Sequence, residues 1–223
     1  MPDGQYSFYL HSDDRTDIAA MVTISTISQP LRGEFIRTAA TAGAVVYQVD
    51  ARLPALIPVF FAGQLSAVRL CAVMALVSGT WSSLTGLPDE PENGEAALPV
   101  SPETEYQRRR YTLTLQNGRS GERVESVLTE ASSRLRGDLL RNLIITGLAL
   151  HTTAPELPRL LASMPVPPTS VSELQALVQQ MAGTADVNRA AAAVPDTPAA
   201  SAAPVSGSDT REIKKNMRRA FGD

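Results

Sequence analysis

Aromatic residues and cysteine are scarce in this chain of 223 residues. Phe, Trp and Tyr make up 5% of it, whereas Ala, Leu and Val are abundant, which favours helices packed through aliphatic side chains over a large β-sandwich. The single cysteine, Cys71, excludes an internal disulfide. No basic-then-apolar segment opens the sequence, so we expect no secretory signal and a cytoplasmic location.

Catalytic and metal-binding motifs are also lacking. The sequence contains no GxxxxGK[ST] phosphate loop, no GxSxG elbow and no cluster of Cys and His at metal-ligand spacing. We therefore expect no catalytic residue, no metal, no cofactor and no enzymatic activity. The most apolar stretch, 59–77, is interrupted by Gly63, Gln64 and Arg69, which favours a pair of buried helices over a membrane span.

An internal repeat organises the chain. Residues 31–57 align without gaps to residues 135–161 at an offset of 104. In the first copy the identical positions are Leu31, Arg32, Gly33, Arg37, Gly43, Leu53, Pro54 and Leu56. One extra residue upstream brings YSFYLH, from Tyr6, onto YTLTLQ, from Tyr111. The chain therefore contains two copies of one unit.

Each unit is predicted to begin with a short strand and to continue as helices. Apolar and polar residues alternate over 6–11 and over 111–116, a period of two that indicates a half-exposed strand. A helix follows, with N-cap candidates at 12–14. Its apolar positions in the first unit include Ile18, Met21, Val22 and Ile27. A second helix is predicted from near Gly33 to Val49, from near Gly137 to Thr153 in the second unit, and two shorter helices follow each.

Composition sets the domain boundaries. We place the first unit with its helical cap at 1–83 and the second at 108–183. An acidic, proline-rich linker occupies 84–107, and a second linker, predicted to be disordered, occupies 184–210. A short amphipathic segment, 211–223, is predicted to form a helix that binds a partner. The fold class is mostly α: two tandem units that form an intramolecular pseudo-dimer.

The unit predicts DNA binding. A lone strand followed by two helices cannot satisfy its own backbone, so the two strands should pair antiparallel as a ribbon that fits the major groove of B-DNA. Its outward side chains, suited to base edges, would be Ser7, Tyr9, His11, Arg110, Thr112, Thr114 and Gln116. Phosphate contacts are predicted at the starts of the second helices, from Arg32, Gly33, Arg136 and Gly137. Eight arginines between residues 108 and 141 favour the same interpretation.

The stretch RGEFIRTAATAGAVVYQVDARLPALI resembles the ParR/StbB family of plasmid-partition proteins. The second copy is similar in RGDLLR and in LALHTTAPELPRLL, so the resemblance covers roughly residues 5–80 and 108–183. It implies a centromere-binding ribbon-helix-helix protein with a helical dimerisation region. It also implies double-stranded DNA with direct repeats as a partner and higher-order self-assembly on that DNA. Known members carry one copy per chain and dimerise, whereas this chain carries two.

The C-terminal segment combines apolar and basic residues at helical spacing. Ile213, Met217 and Phe221 recur at i, i+4, which places them on one face of a helix. The basic residues around them are Lys214, Lys215, Arg218 and Arg219. The resemblance implies that this helix binds an actin-like filament ATPase similar to ParM. A basic helix on a membrane surface and a helix that folds back on its own domain are the alternatives, and we expect no membrane partner.

Other functions fit parts of the pattern. A relaxosome accessory factor similar to TraY would also carry two such units in one chain, and a ribbon-helix-helix transcriptional repressor would need only the ribbon. Repression of its own promoter is compatible with the segregation role. A helical interaction protein without a DNA role would require the alternation and the arginine cluster to be incidental.

Overall fold

Helices dominate the computed structural model, which describes residues 4–80 and 108–192. In the first unit the elements are β1 Gln5–His11, α1 Arg15–Thr26, α2 Arg32–Val49, α3 Leu53–Leu56 and α4 Ala67–Ser78. In the second unit they are β2 Arg108–Thr114, α5 Arg119–Glu130, α6 Arg136–Thr153, α7 Leu157–Ser163 and α8 Val171–Ala192. Both units follow the order strand, two helices and helical cap, so the predicted mostly helical fold with tandem units is confirmed.

The two strands pair antiparallel within one chain. Phe8 lies opposite Tyr111, at the middle of the register, and Ser7 lies opposite Thr112. Phe8, Leu10 and Leu113 are buried, and the rings of Phe8 and Tyr111 stack with centroids 5.3 Å apart. The apolar residues of both strands therefore face the helices, and the ribbon closes as an intramolecular pseudo-dimer.

Helices α2 and α6 cross at the centre of a core that both units share. Gly43 and Gly147, which are equivalent in the repeat, let the two backbones touch: a Cβ at Gly43 would overlap the carbonyl group of Leu143, and one at Gly147 would overlap that of Ala39. The described residues 4–80 and 108–188 accordingly belong to one compact unit.

The helical caps close the core on both sides. Leu70 and Met74 of α4 are buried, as are Leu174 and Val178 of α8. The Thr153 hydroxyl, at the end of α6, donates to the carbonyl of Leu65 at 2.7 Å and so joins the second unit to the first. Within the described ranges, no helix has the length and apolar character needed to cross a membrane.

Helix α8 runs further than the sequence predicted. The second linker was placed from residue 184, but the helix continues to Ala192. Its last turns contain NRAAA, and alanine and arginine favour helix strongly enough to extend it beyond the last large apolar side chains. The acidic linker 84–107, the remainder of the second linker and the segment 211–223 lie outside the described residues.

A buried ion pair joins α1 of the first unit to α6 of the second. The Asp17 side chain is 1% exposed and accepts from the Arg141 guanidinium at 2.6 Å and from the His11 backbone N–H at 2.9 Å. Arg141, 20% exposed, also lies 3.3 Å from a carboxylate oxygen of Asp14, the N-cap of α1. Burial raises the pKa of the Asp17 carboxyl above its ordinary value, although the His11 N–H and Arg141 act in the opposite direction.

We predict that Arg141→Met lowers the free energy of unfolding by about 2 kcal/mol near neutral pH, because it leaves the Asp17 carboxylate buried without its cation. The loss should shrink as pH falls through the raised pKa of Asp17, since the protonated carboxyl no longer needs a cation. Denaturant titrations at neutral and acidic pH measure both effects.

Arg37→Met is the matched control, because Arg37 occupies the equivalent position in α2. No carboxylate among the described residues pairs with Arg37, so we expect it to cost less than about 0.5 kcal/mol. Equal losses of unfolding free energy for the two variants would contradict the role given to the ion pair. So would a loss for Arg141→Met that is the same at neutral and acidic pH.

Candidate nucleic-acid interface

The outer face of the ribbon is polar along its whole length. Because directly opposed residues of an antiparallel pair share a face, eight side chains lie together on it. They are Gln5, Ser7, Tyr9 and His11 on β1 and Arg108, Arg110, Thr112 and Thr114 on β2. The structure thus brings together six of the seven residues that the alternation assigned to base contacts. The seventh, Gln116, is exposed two residues past the end of β2.

Two residues of this face were missed by sequence reasoning. Gln5 and Arg108 lie opposite Thr114 and His11 and are exposed. Each continues the alternation by one step beyond the predicted strand, two residues before Ser7 and Arg110 respectively. The alternation therefore extends to both residues. They were missed because each strand was predicted to begin at its first apolar residue, Tyr6 or Tyr111.

The arginines of the outer face are held by neighbouring side chains. Arg110 donates to the Ser7 hydroxyl through Nε at 3.2 Å and Nη2 at 2.9 Å. The Arg108 guanidinium lies 3.5 Å from the centre of the Tyr9 ring, in a cation–π contact. Both guanidinium groups are therefore ordered along the ribbon, which lowers the conformational entropy that binding a ligand would cost.

The starts of α2 and α6 flank the ribbon. Leu31 and Leu135 are their N-caps, and neither side chain makes a capping hydrogen bond. The Arg32 N–H at the start of α2 donates to the Gln29 carbonyl, and no N-cap side chain accepts from the N–H groups that follow it or from those of α6, an arrangement that favours an anion. The start of α6 lies beside β1, because a Cβ on Gly137 would be 3.5 Å from the Ser7 carbonyl oxygen. Gly33, at the start of α2, is exposed.

Arg32 and Arg136 have a structural role that the sequence did not reveal. Arg32 donates to the carbonyls of Ile27 at 2.8 Å and Ser25 at 3.1 Å, and Arg136 donates to that of Ala131 at 3.2 Å. These carbonyls end α1 and α5, where a helix leaves its last acceptors without partners. Each arginine therefore fixes the turn between the two helices of its unit, in addition to any contact with a phosphate.

Seven residues are predicted to bind a filament: Ile213, Lys214, Lys215, Met217, Arg218, Arg219 and Phe221. All of them lie in 211–223, outside the described residues. No group of three or more His, Cys, Asp or Glu side chains among residues 4–80 and 108–192 is arranged to hold a metal ion.

Architecture and outer face together define a tandem ribbon-helix-helix protein. A family model described as plasmid stability protein matches residues 4–74 and 109–178. The matches cover more than half of the chain, which therefore belongs to this family of plasmid stability proteins and carries its unit twice. No curated protein and no solved structure matches the chain significantly. Membership of the family indicates a role in plasmid maintenance.

Proposed function

We propose that this chain is a plasmid segregation adaptor that binds repeated, centromere-like duplex DNA through its ribbon and an actin-like filament ATPase through its C-terminal segment. The observation that supports DNA binding most directly is the closed intrachain ribbon with eight polar side chains on its outer face. The plasmid stability family supports the biological context.

The ribbon has the dimensions and chemistry that the major groove requires. A two-stranded ribbon fits this groove, and arginine, glutamine, serine and threonine side chains can hydrogen-bond to base edges. The uncapped starts of α2 and α6 lie on the flanks, where backbone N–H groups can bind phosphates and fix the position of the ribbon. Base recognition and backbone anchoring are thus supplied by different elements.

Filament binding is proposed from the sequence of 211–223. Ile213, Met217 and Phe221 would form an apolar stripe on a helix too short to be stable alone, so it would fold on its partner. The adaptor itself would catalyse nothing and need no cofactor, because the filament protein would hydrolyse ATP. Assembly of several chains on adjacent DNA repeats would present several such helices to one filament end.

DNA binding is tested by the salt dependence of affinity. With about four to eight phosphate contacts, a plot of log affinity against log salt should have a slope of about −4 to −7. Arg110→Ala should weaken binding to the preferred site by about 5- to 150-fold and binding to random DNA much less, because base contacts specify and phosphate contacts position.

Arg69→Ala, which removes the same charge from α4 outside the ribbon, is the control and should change affinity by less than about twofold. Equal effects of the two substitutions would show that the ribbon's outer face was wrongly assigned. An affinity that does not change with salt would argue against DNA binding altogether.

A further inference from the structure

The two strands of the ribbon differ at equivalent positions. In the repeat, Gln5 corresponds to Arg110, Ser7 to Thr112 and Tyr9 to Thr114. A ribbon formed by two identical chains has the same side chains on both strands, and its twofold symmetry matches a palindromic DNA site. In this chain the two strands are equivalent in the repeat and pair antiparallel, but their outer side chains differ.

The differences place both arginines of the outer face in one half of the ribbon, and the Arg110 guanidinium reaches from there to Ser7 at the border with the other half. His11 and Tyr9 lie opposite Arg108 and Arg110, and these four residues form the cationic half of the ribbon. Gln5 and Ser7 lie opposite Thr114 and Thr112, and these four form the neutral half. The contacts of Arg108 with Tyr9 and of Arg110 with Ser7 hold both guanidinium groups over the ribbon.

The two halves would prefer different base pairs. Arginine donates to both O6 and N7 of guanine, the commonest specific contact in the major groove, whereas glutamine pairs with adenine and hydroxyl groups with several bases. The cationic half should therefore favour guanine. The neutral half offers no cation among its four side chains.

The flanks of the ribbon differ as well. Beside the cationic half, Arg141 is neutralised by Asp14 and Asp17, and Asp17 also binds the His11 backbone. The equivalent positions beside the neutral half are Gly118 and Gly121, where no side chain can neutralise a cation.

Arg37, the equivalent of Arg141, accordingly lines a cleft of about 250 Å³ together with Gln116 and Arg119. Glu34 is the one acidic residue of this lining. A phosphate near the neutral half would thus meet an arginine that has no carboxylate partner among the described residues.

We infer that the ribbon binds a non-palindromic duplex site in one orientation, with guanine under the cationic half. This inference rests on the proposed DNA binding, and it adds that the two ends of the pseudo-dimer are distinguishable to DNA. Orientation is set by Arg108 and Arg110, with Tyr9 and Ser7 as the residues that position them.

The experiment measures which flank of a selected DNA site is cleaved by a reagent attached at either end of the ribbon. The preferred site of the full chain is first selected from random duplexes. Asp13→Cys and Asn117→Cys are then made separately in a Cys71→Ser background, since both positions are exposed and follow β1 and β2 at opposite ends of the ribbon. An iron chelate attached to each cysteine cleaves the DNA nearby.

Each variant should cleave one flank of the site at least about tenfold more than the other, and the two variants should cleave opposite flanks, because discrimination by a base contact is about 5- to 150-fold. Equal cleavage of both flanks, with normal affinity, would overturn the inference and leave DNA binding intact. Selection of no sequence, with no binding to any duplex, would overturn the proposed function instead.

A symmetrised ribbon supplies the control. Asp3→Arg, Gln5→Arg, Ser7→Thr, Tyr9→Thr and His11→Gln together give the first copy the residues that the second copy has at Arg108, Arg110, Thr112, Thr114 and Gln116, and none of the replaced side chains in β1 is buried. This variant should cleave both flanks of its own selected site to within about threefold. One-sided cleavage that persists in it would show that orientation is set outside the outer face and would overturn the assignment to these residues.

Discussion

Gly43→Ala is expected to lower the free energy of unfolding by about 3 kcal/mol or more, the largest stability effect we predict for a single methyl group in this chain. At the crossing of α2 and α6, the position of that methyl group is already filled by the carbonyl oxygen of Leu143. A flexible side chain could move aside, but the backbone of a packed helix cannot, so the two helices would have to separate.

Gly147→Ala should lower the free energy of unfolding by as much, because its methyl group would overlap the carbonyl group of Ala39, the repeat equivalent of Leu143. Gly183→Ala is the control: Gly183 lies on α8 with open space around its Cβ position, and alanine favours helix, so stability should be unchanged or should rise by up to about 1 kcal/mol. Denaturant titration measures all three. A loss below about 1 kcal/mol for Gly43→Ala would show that the helices can move apart cheaply.

The glycine crossing also matters for the ribbon. Helices α2 and α6 support β1 and β2 from below and present their uncapped starts on the flanks. A change in their separation would move the two flanks relative to the outer face. The spacing of phosphate contacts that we propose therefore depends on Gly43 and Gly147, which are identical in the two copies of the repeat.

Local patterns predicted the elements well, because each depends on neighbours in sequence. The alternation at Tyr6 and Tyr111 depends only on the two faces of a strand, and the second helices begin and end within a residue or two of the predicted positions. The pairing of the strands is a long-range property. It could still be predicted because two copies of one unit offer each strand an equivalent partner.

Side chains whose partners lie far along the chain could not be predicted. Val22 was one of the apolar positions of the first helix, but it is 51% exposed, whereas Asp17 is buried. The carboxylate of Asp17 is compensated by Arg141, which lies 124 residues away, so no local pattern could indicate its burial. Arg32 and Arg136 were likewise assigned to phosphates, because their hydrogen bonds to the ends of α1 and α5 depend on the geometry of a turn.

Deleting residues 205–223 is expected to abolish filament binding while leaving folding and DNA affinity nearly unchanged. The deletion begins after the end of α8 and leaves the ribbon, the helix starts and every core residue within 4–80 and 108–192 in place. Co-sedimentation with the cognate actin-like protein and ATP measures the first effect. A DNA-binding assay on the same truncated sample measures the second.

Phe221→Ala should reproduce most of this loss, weakening filament binding by about 30-fold or more, because a short amphipathic helix concentrates its affinity in a few apolar anchors. Asn216→Ala, off the stripe of Ile213, Met217 and Phe221, is the matched control and should change binding by less than about threefold. The basic residues Lys214, Lys215, Arg218 and Arg219 should mainly raise the rate of encounter with an acidic filament surface, so high salt should slow association.

If the truncated chain lost DNA binding and kept filament binding, the functions of the two ends would have to be exchanged. If it kept both, the filament-binding site would lie before residue 205, and if neither the full chain nor the truncated chain bound the filament, a repressor would become the better description of the chain.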